Sequence, residues 1–395
     1  MDLAEIQSVL TQRGFDAWLF YDHHHRDPIA YRVLGLPEEL PVSRRWFYLI
    51  PVHGTPTKLV HRVEPGHLDS LPGVKRTYSA WHELAVQLKA MLAPFRRVAM
   101  QYSPNNLIFY VGMVDAGTIE IIRGFGHEIV SSGDLVAQFE AALSDEQIHA
   151  HLRARDKIDL ITAEAFREIG RRVRNGGATE YDIQQWIMQA FLREGLTTAG
   201  DKPVVAVNEH SSIPHYSPTP EHSSPIQNGD FVLLDIWNKE NTPEGVFYDI
   251  TWVGSVGEPS PRQREIFDIV ADARDLGVAT VRSAVSSGRK ISGWEVDRTV
   301  RAFITARGYG EYFIHRTGHS IGPAFMRMEP TWTIWRLETN ARSSPTLVSP
   351  WNREFTCQNS ALEARSMYSC GRVRLRSLAG FKPSWWLSNA ESSRW

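Results

Sequence analysis

A series of elements that occurs twice between residues 145 and 322 constrains the fold of this chain more than any single motif does. Each copy has the apolar spacing of a long helix, then a glycine break, then a second helix. The helices run from Asp145 to Val173 and from Thr179 in the first copy, and from Arg262 to Val285 and Gly293 to Arg307 in the second. Strand-like segments follow the first copy only, although symmetry predicts them after both. The repetition predicts an α+β domain with two related halves.

The first 143 residues have a different pattern, in which short β-rich runs alternate with helical stretches. Asp16 to Asp22, Trp46 to Val52 and Arg97 to Tyr102 are typical strands, and Ala80 to Leu92 is typical of a helix. This alternation predicts an α/β domain. Ser144, with Gln147 three residues later, has the spacing of a capping box. We therefore expect one domain over residues 1–143 and a second over residues 144–322.

Two aspartates lie inside the strand-like segments of the first half. Asp235 ends the apolar run that begins at Phe231, and Asp249 follows Val246, with Asn238 to Gly245 as the expected turn. An unpaired charge is costly inside an apolar strand, so a cation should compensate each carboxylate. An arginine partner or a turn cap would do so for one aspartate. The pair on one hairpin favours a metal ion, and carboxylates with an imidazole suit Mn, Fe, Co or Zn.

A resemblance to a known family becomes specific at these residues. Asp235, Asp249 and His319, the last within Thr-Gly-His-Ser-Ile-Gly, are similar in order and context to the first three metal ligands of the pita-bread metallopeptidases. The segment from Asn208 to Tyr216 resembles the one that gives this family a substrate-facing histidine, here His215. The N-terminal half resembles the creatinase/prolidase N-terminal domain.

The resemblance implies a fold, a cofactor and a substrate. Family members hold two divalent metal ions (Mn, Co, Fe or Zn) between two Asp, one His and two Glu, and a metal-activated water attacks the peptide bond. The resemblance is strongest to Xaa-Pro aminopeptidases and dipeptidases such as prolidase. It therefore implies short proline-containing peptides as substrates and His215 as a catalytic residue. Family members are commonly homodimers, which suggests a homodimer here.

The sequence departs from the family pattern after Gly322. Residues 323–395 contain both cysteines and no aspartate, and no Ser-Val-Glu-Pro-Gly-like or Arg-Ser-Glu-Val-like segment supplies the two glutamate ligands. Reading the codons in a shifted frame restores both: Trp351 followed by Asn352 forces a glutamate, and a second spans Ala364 and Arg365. We infer a frameshift near Gly322 and an aberrant tail over residues 323–395, with disrupted C-terminal strands. The chain as written is expected to bind metal weakly and to be an impaired enzyme.

Composition excludes several other classes of function. A net charge of -2 gives no overall basic field for nucleic acid or an anionic membrane. The absence of a long apolar segment and of a disulfide framework predicts a cytoplasmic protein. The three histidines from His23 to His25 are typical of a solvated loop, and the Trp385-Trp386 region with its arginines is interpreted as meaningless out-of-frame sequence rather than a nucleic-acid patch.

Two alternatives to a peptidase remain open from the sequence. One is a metal-free, creatinase-like amidinohydrolase, against which the Asp235 and Asp249 pair argues. The other is a non-catalytic pita-bread module that binds peptides or proteins, which the missing glutamates favour and the retained Asp, Asp and His disfavour.

Overall fold

The computed structural model describes residues 2–37, 39, 41–140, 143–289, 291–319 and 321–323, together with the backbone of residues 336–337. The described residues form two compact units, one up to residue 140 and one from residue 143 to residue 323. The predicted aberrant tail and the second pair of strands lie outside the described residues, apart from a short strand at Arg336–Leu337. None of the helices in these ranges combines the length and the apolar character needed to cross a bilayer.

Unit 1 is an α/β structure, as its alternating sequence predicts. Its helices are α1 (Leu3–Arg13), α2 (Pro28–Leu34), α3 (Trp81–Leu92), α4 (Ala116–Gly124) and α5 (Gly133–Glu140). Its strands are β1 (Ala17–Asp22), β2 (Trp46–Pro51), β3 (Thr57–His61), β4 (Val74–Tyr78), β5 (Arg97–Met100) and β6 (Glu128–Ser131), with two short 3-10 helices at Pro104–Asn106 and Phe109–Val111. The strands form one sheet in the order β4-β3-β2-β1-β5-β6.

Both faces of this sheet are covered, which explains the almost continuous apolar runs of its central strands. Alternate residues of β1 point to opposite faces. Trp18 and Phe20 enter one core cluster, whereas Leu19 and Tyr21 enter the other. Residues of β2 divide between the two clusters in the same way.

Unit 2 contains the repeated helices and a short sheet. Its helices are α6 (Asp145–Arg174), α7 (Glu180–Arg193), α8 (Pro261–Ser286) and α9 (Gly293–Thr305), with 3-10 helices at Asn208–Ser212 and Gly310–Tyr312. Its strands are β7 (Ala178–Thr179), β8 (Leu196–Thr197), β9 (Val204–Val207), β10 (Pro225–Ile226), β11 (Phe231–Glu240), β12 (Tyr248–Ser255) and β13 (Ile291–Ser292). The central strand β11 pairs antiparallel with β12 on one side and with β9 and β8 on the other.

Local capping explains where the helices of unit 2 begin. The Ser144 side chain accepts from the Gln147 amide while the Gln147 side chain accepts from the Ser144 amide, so the predicted capping box is confirmed. Thr179 and Asp182 form the same arrangement at α7. Between these helices Gly176 and Gly177 have φ of 122° and 105°, a left-handed conformation that favours glycine.

The predicted turn from Asn238 to Gly245 is wrong at its first end. Asn238 is buried within β11 opposite Tyr248, and β11 continues to Glu240. Beyond Asn238 the strand continues because Lys239 and Glu240 pair with Thr197 and Leu196 of β8. The Glu240 side chain also accepts hydrogen bonds from Arg153 and Lys157 of α6. The connection between the two strands is therefore the segment 241–247.

Candidate metal centre and histidine loops

The two predicted aspartates share one face of the β11–β12 hairpin. In the register of this pair Asp235 lies opposite Thr251, and Trp237 lies opposite Asp249. Since side chains two residues apart point to the same face, Asp235 and Asp249 are diagonal neighbours. The other face of β11 carries Val232, Leu234 and Ile236, which pack in one cluster with residues of α6 and α7. The carboxylates therefore lie on the side of the sheet away from these helices.

Both carboxylates are buried, and their proximity perturbs the first of them. Asp235 is 1% exposed and Asp249 is 5% exposed. Burial, and next the charge of Asp249, raise the pKa of Asp235 to about 8 from its ordinary value of 3.8. The Thr251 hydroxyl donates to Asp235 Oδ1 at 2.8 Å and acts in the opposite direction, as does His319. A cation beside this pair would stabilise the ionised form of Asp235, which burial and the charge of Asp249 disfavour.

His319 meets this pair from a different part of the chain. Its Nε2 lies 3.3 Å from Asp249 Oδ2, and the imidazole and the carboxylate are both almost fully buried. The main chain nearby is tied to the hairpin, since the Phe247 amide donates to the Gly322 carbonyl at 3.1 Å. The structure thus brings together the three residues that the sequence singles out as metal ligands: Asp235, Asp249 and His319.

An aspartate and an arginine of α9 hold the loop that leads to His319. The Thr317 amide and hydroxyl both donate to Asp297 Oδ1, at 2.8 and 2.7 Å. Arg301 pairs with Asp297 and donates to the carbonyls of Phe313 and His315, at 2.6 and 2.8 Å. This arrangement fixes the backbone two residues before His319, and no pattern in the sequence predicts it.

Two further histidines belong to the loops around this site. His215 is exposed in the segment after the 3-10 helix Asn208–Ser212. Burial first, and then the charges of Arg316, His319 and His215, lower the pKa of His315, so His315 lies within electrostatic reach of both other histidines. The motif around His319 did not by itself point to His315, although the position of His315 four residues before His319 was a signal.

The donor set fits part of a divalent-metal site. Two carboxylates and one imidazole are donor types that Mn, Fe, Co and Zn accept, and a metal ion would compensate the buried charges of Asp235 and Asp249. His319 would be the third donor. Within the ranges that the structure describes, no group of three or more His, Cys, Asp or Glu is placed so that it could hold a metal ion, so the fit is one of donor chemistry. The loop of His23 to His25 also forms no such group, and His24 and His25 are exposed, as predicted.

Comparison with known proteins gives a consistent result. Residues 156–347 match the model of metallopeptidase family M24. The chain is 30% identical over 200 residues to the uncharacterized peptidase YqhT of Bacillus subtilis, which covers 49% of this chain and 50% of that protein. It is 26% identical over 209 residues to an uncharacterized peptidase of Staphylococcus aureus strain USA300, covering 51% and 53%. The chain thus spans about half the length of the curated relatives it matches.

Solved structures extend the similarity of fold to both units. The dipeptidase PepE of Mycobacterium ulcerans has a TM-score of 0.55 at 20% identity, covering 84% of this chain and 82% of that one. The Xaa-Pro dipeptidase of Bacillus anthracis has a TM-score of 0.50 at 21% identity, covering 83% and 82%. These identities establish the fold alone. The predicted fold class, an α/β domain followed by an α+β pita-bread domain, is confirmed.

Proposed function

We propose that this chain, which belongs to the pita-bread metallopeptidases of family M24, has the framework of an enzyme that hydrolyses the peptide bond next to proline in short peptides. The observation that carries this proposal is the convergence of Asp235, Asp249 and His319 on one face of a buried hairpin. Family M24 is a family of dinuclear divalent-metal peptidases. When bound, the metal ions supply a Lewis acid and activate water.

Each residue has a distinct part in this proposal. Asp235 and Asp249 would hold the cation, and Asp235 would release its proton when the cation binds, since burial and the charge of Asp249 oppose its ionisation without the cation. His319 would complete this half of the site in its neutral form. His215, exposed on its loop, would contact the substrate and help to place the peptide carbonyl.

We further propose that the chain as written is impaired because the two glutamate ligands of the family are missing after Gly322. The residues concerned lie outside the described ranges, so the argument comes from the sequence. Removing two anionic donors should weaken metal binding on the order of 100-fold or more, since loss of a mere outer-shell partner already costs 10–100-fold. Domain boundaries at residues 143 and 322 and a cytoplasmic location belong to the same proposal.

The experiment compares the 395-residue chain with a version re-encoded in the shifted frame after Gly322. Both are stripped with a chelator, titrated with Mn²⁺ in a calorimeter, and assayed on Xaa-Pro dipeptides and longer peptides with proline in second position. We expect two bound ions and cleavage only for the re-encoded chain. Asp235→Asn should abolish its metal binding, whereas Asp268→Asn, an exposed position on α8, serves as the matched control.

Each outcome has a definite meaning for the proposal. Efficient Xaa-Pro cleavage by the 395-residue chain would refute impairment. Failure of the re-encoded chain to bind metal would refute the peptidase framework. Resequencing the coding DNA across Gly322 tests the frameshift directly: an intact reading frame there removes the reason for re-encoding.

One observation favours a second candidate, a non-catalytic peptide-binding module. The sequence lacks the two glutamate ligands expected after Gly322, whereas it keeps His215 on an exposed loop. If the 395-residue chain binds proline-containing peptides with the same affinity in chelator and in Mn²⁺, this candidate replaces the enzyme for the chain as written.

A further inference from the structure

We propose that Glu180 is a positioning residue that fixes the loop carrying His215. The role concerns residues 208–224, the connection between β9 and β10. It rests on the proposed function only in assigning His215 to the substrate side of the site. The placement of the loop by Glu180 is a separate claim and can be tested without metal, substrate or activity.

The burial of Glu180 is the first reason for this proposal. It is the first residue of α7, where an acidic side chain commonly stays in solvent and interacts with the positive end of the helix. Here the side chain is 0% exposed. A buried carboxylate is very costly unless several donors satisfy it, so the surroundings of Glu180 must supply them.

The donors all come from the loop and from its two ends. At the start, the Val207 amide donates to Oε1 at 2.7 Å. At the far end, the Ser224 amide donates to Oε2 at 2.8 Å. Between them, His210 Nδ1 lies 2.9 Å from Oε1, and the Tyr216 hydroxyl donates to Oε2. One carboxylate therefore fastens the loop at four points spread over eighteen positions.

The contact with Tyr216 brings this effect to His215, its neighbour in sequence. The rings of Tyr216 and His210 stack with centroids 4.3 Å apart, so both side chains on the carboxylate also hold each other. Burial, and then the contact with Glu180, raise the pKa of Tyr216, which keeps its hydroxyl a donor across the neutral range. The direction of the chain at His215 is thus set by a residue thirty-five positions earlier.

The start of the same loop is linked to the proposed metal strand. In the pairing of β9 with β11, Val204 lies opposite Asp235 and Val207 lies opposite Val232. Glu180 holds the Val207 amide at the end of β9. It therefore relates the position of His215 to that of Asp235 through a single strand.

Removing the charge while keeping the shape tests this role. Glu180→Gln replaces one acceptor oxygen with a donor group that faces N–H and O–H donors. Glu258→Gln is the matched control, because Glu258 also lies in unit 2 but its side chain is 77% exposed, where it pairs with Arg264. Tyr216→Phe removes one hydrogen bond and leaves the other three donors in place, so it serves if Glu180→Gln does not fold.

The measurement is amide hydrogen exchange by mass spectrometry on the full metal-free chain, with the His215 ring followed by NMR in protein labelled with ¹⁵N-histidine. We expect exchange over residues 208–224 to rise roughly 10- to 100-fold in Glu180→Gln, the range for losing bonds to a charged group. Tyr216→Phe should give a rise of about fivefold, the size of one lost hydrogen bond. The His215 ring signal should move in both variants, whereas that of the exposed His149 should not.

Several results would overturn the proposal. One is unchanged exchange over residues 208–224 in both variants. Another is an equal rise across α6, β11 and β12, which would make Glu180 a general stabiliser. A third is a His215 signal that stays in place while the loop amides exchange faster. The expected changes could occur while neither the 395-residue chain nor the re-encoded chain binds metal or peptide. In that case the placement of the loop by Glu180 stands and the proposed function fails.

Discussion

Asp27 in unit 1 offers a prediction that can be worked through quantitatively. Its side chain is the N-cap of α2, with Oδ1 accepting from the Ala30 amide at 3.1 Å. It is 1% exposed, and Oδ2 has no hydrogen-bond partner among the described residues. Burial raises the pKa of Asp27 to about 8 from 3.8, and the negative charges of Asp22 and Glu140 act in the same direction. Asp27 is therefore protonated in the folded protein at neutral pH.

This raised pKa makes stability depend on pH with a definite sign. The unfolded chain releases the Asp27 proton near pH 3.8, whereas the folded chain keeps it until about pH 8. The stabilisation is therefore complete below the first value and is lost as pH rises toward the second. The free energy of unfolding should fall by up to about 1.4 kcal/mol per pH unit in this window, or about 3 kcal/mol between pH 5 and pH 7.

The Asp27→Asn variant removes this titration and keeps the cap, since asparagine caps helices as well as aspartate does. Urea titrations at pH 5, 6 and 7, followed by pulse-labelling hydrogen exchange of peptides from β1 and β2, would report the stability of unit 1. Other groups with a raised pKa, such as Glu140, titrate in both the unmodified protein and the variant. The difference in stability between the two proteins therefore isolates the contribution of Asp27. Stability curves that run parallel from pH 5 to pH 7 would mean that Asp27 is ionised when folded and would refute the reasoning.

Three further predictions concern unit 2, and thermal unfolding by calorimetry checks the first two. Ile158→Ala leaves a cavity where the fully buried Ile158 of α6 packs, and should destabilise unit 2 by about 2–5 kcal/mol. Leu160→Ala on the same helix is the control and should be nearly neutral, because Leu160 is 53% exposed. Gly245→Ala places a Cβ 2.1 Å from the Glu240 carbonyl oxygen and should cost about 1–3 kcal/mol, and an unchanged midpoint would show that the β11–β12 connection can move. Arg301→Lys removes the guanidinium that donates to the Phe313 carbonyl while pairing with Asp297, so hydrogen exchange over residues 313–317 should rise roughly tenfold. Unchanged exchange would mean that Asp297 alone holds this loop.

Local signals account for what the sequence predicted well. The capping boxes at the starts of α6 and α7 form hydrogen bonds between residues only three positions apart: Ser144 with Gln147, and Thr179 with Asp182. The starts of these helices can therefore be read from the local sequence. The alternation of β11 likewise separates the residues that pack with helices from the face that carries Asp235. The contact of His319 with Asp249 came from the resemblance, because no local pattern joins positions seventy residues apart.

Distant partners account for what the sequence missed. The sequence predicted a turn that begins at Asn238. In the structure β11 continues past Asn238, and Glu240 at its end accepts hydrogen bonds from Arg153 and Lys157, which lie on a helix much earlier in the chain. Glu180 looked like an ordinary acidic residue of a first helical turn, and only the folded loop shows its four donors. When the hydrogen-bond partners of a carboxylate are distant in the chain, the local sequence does not reveal whether that carboxylate is buried or exposed.

The order in which the core of unit 2 is synthesised has a consequence for the cell. Its main cluster draws every member from residues 154–256, a stretch that leaves the ribosome well before Gly322 is translated. Because domains tend to fold from the N-terminal side during synthesis, this core can close while the rest of the chain is still being made. The stability of this core, and with it the amount of protein that escapes degradation in the cell, would then depend on residues made before Gly322.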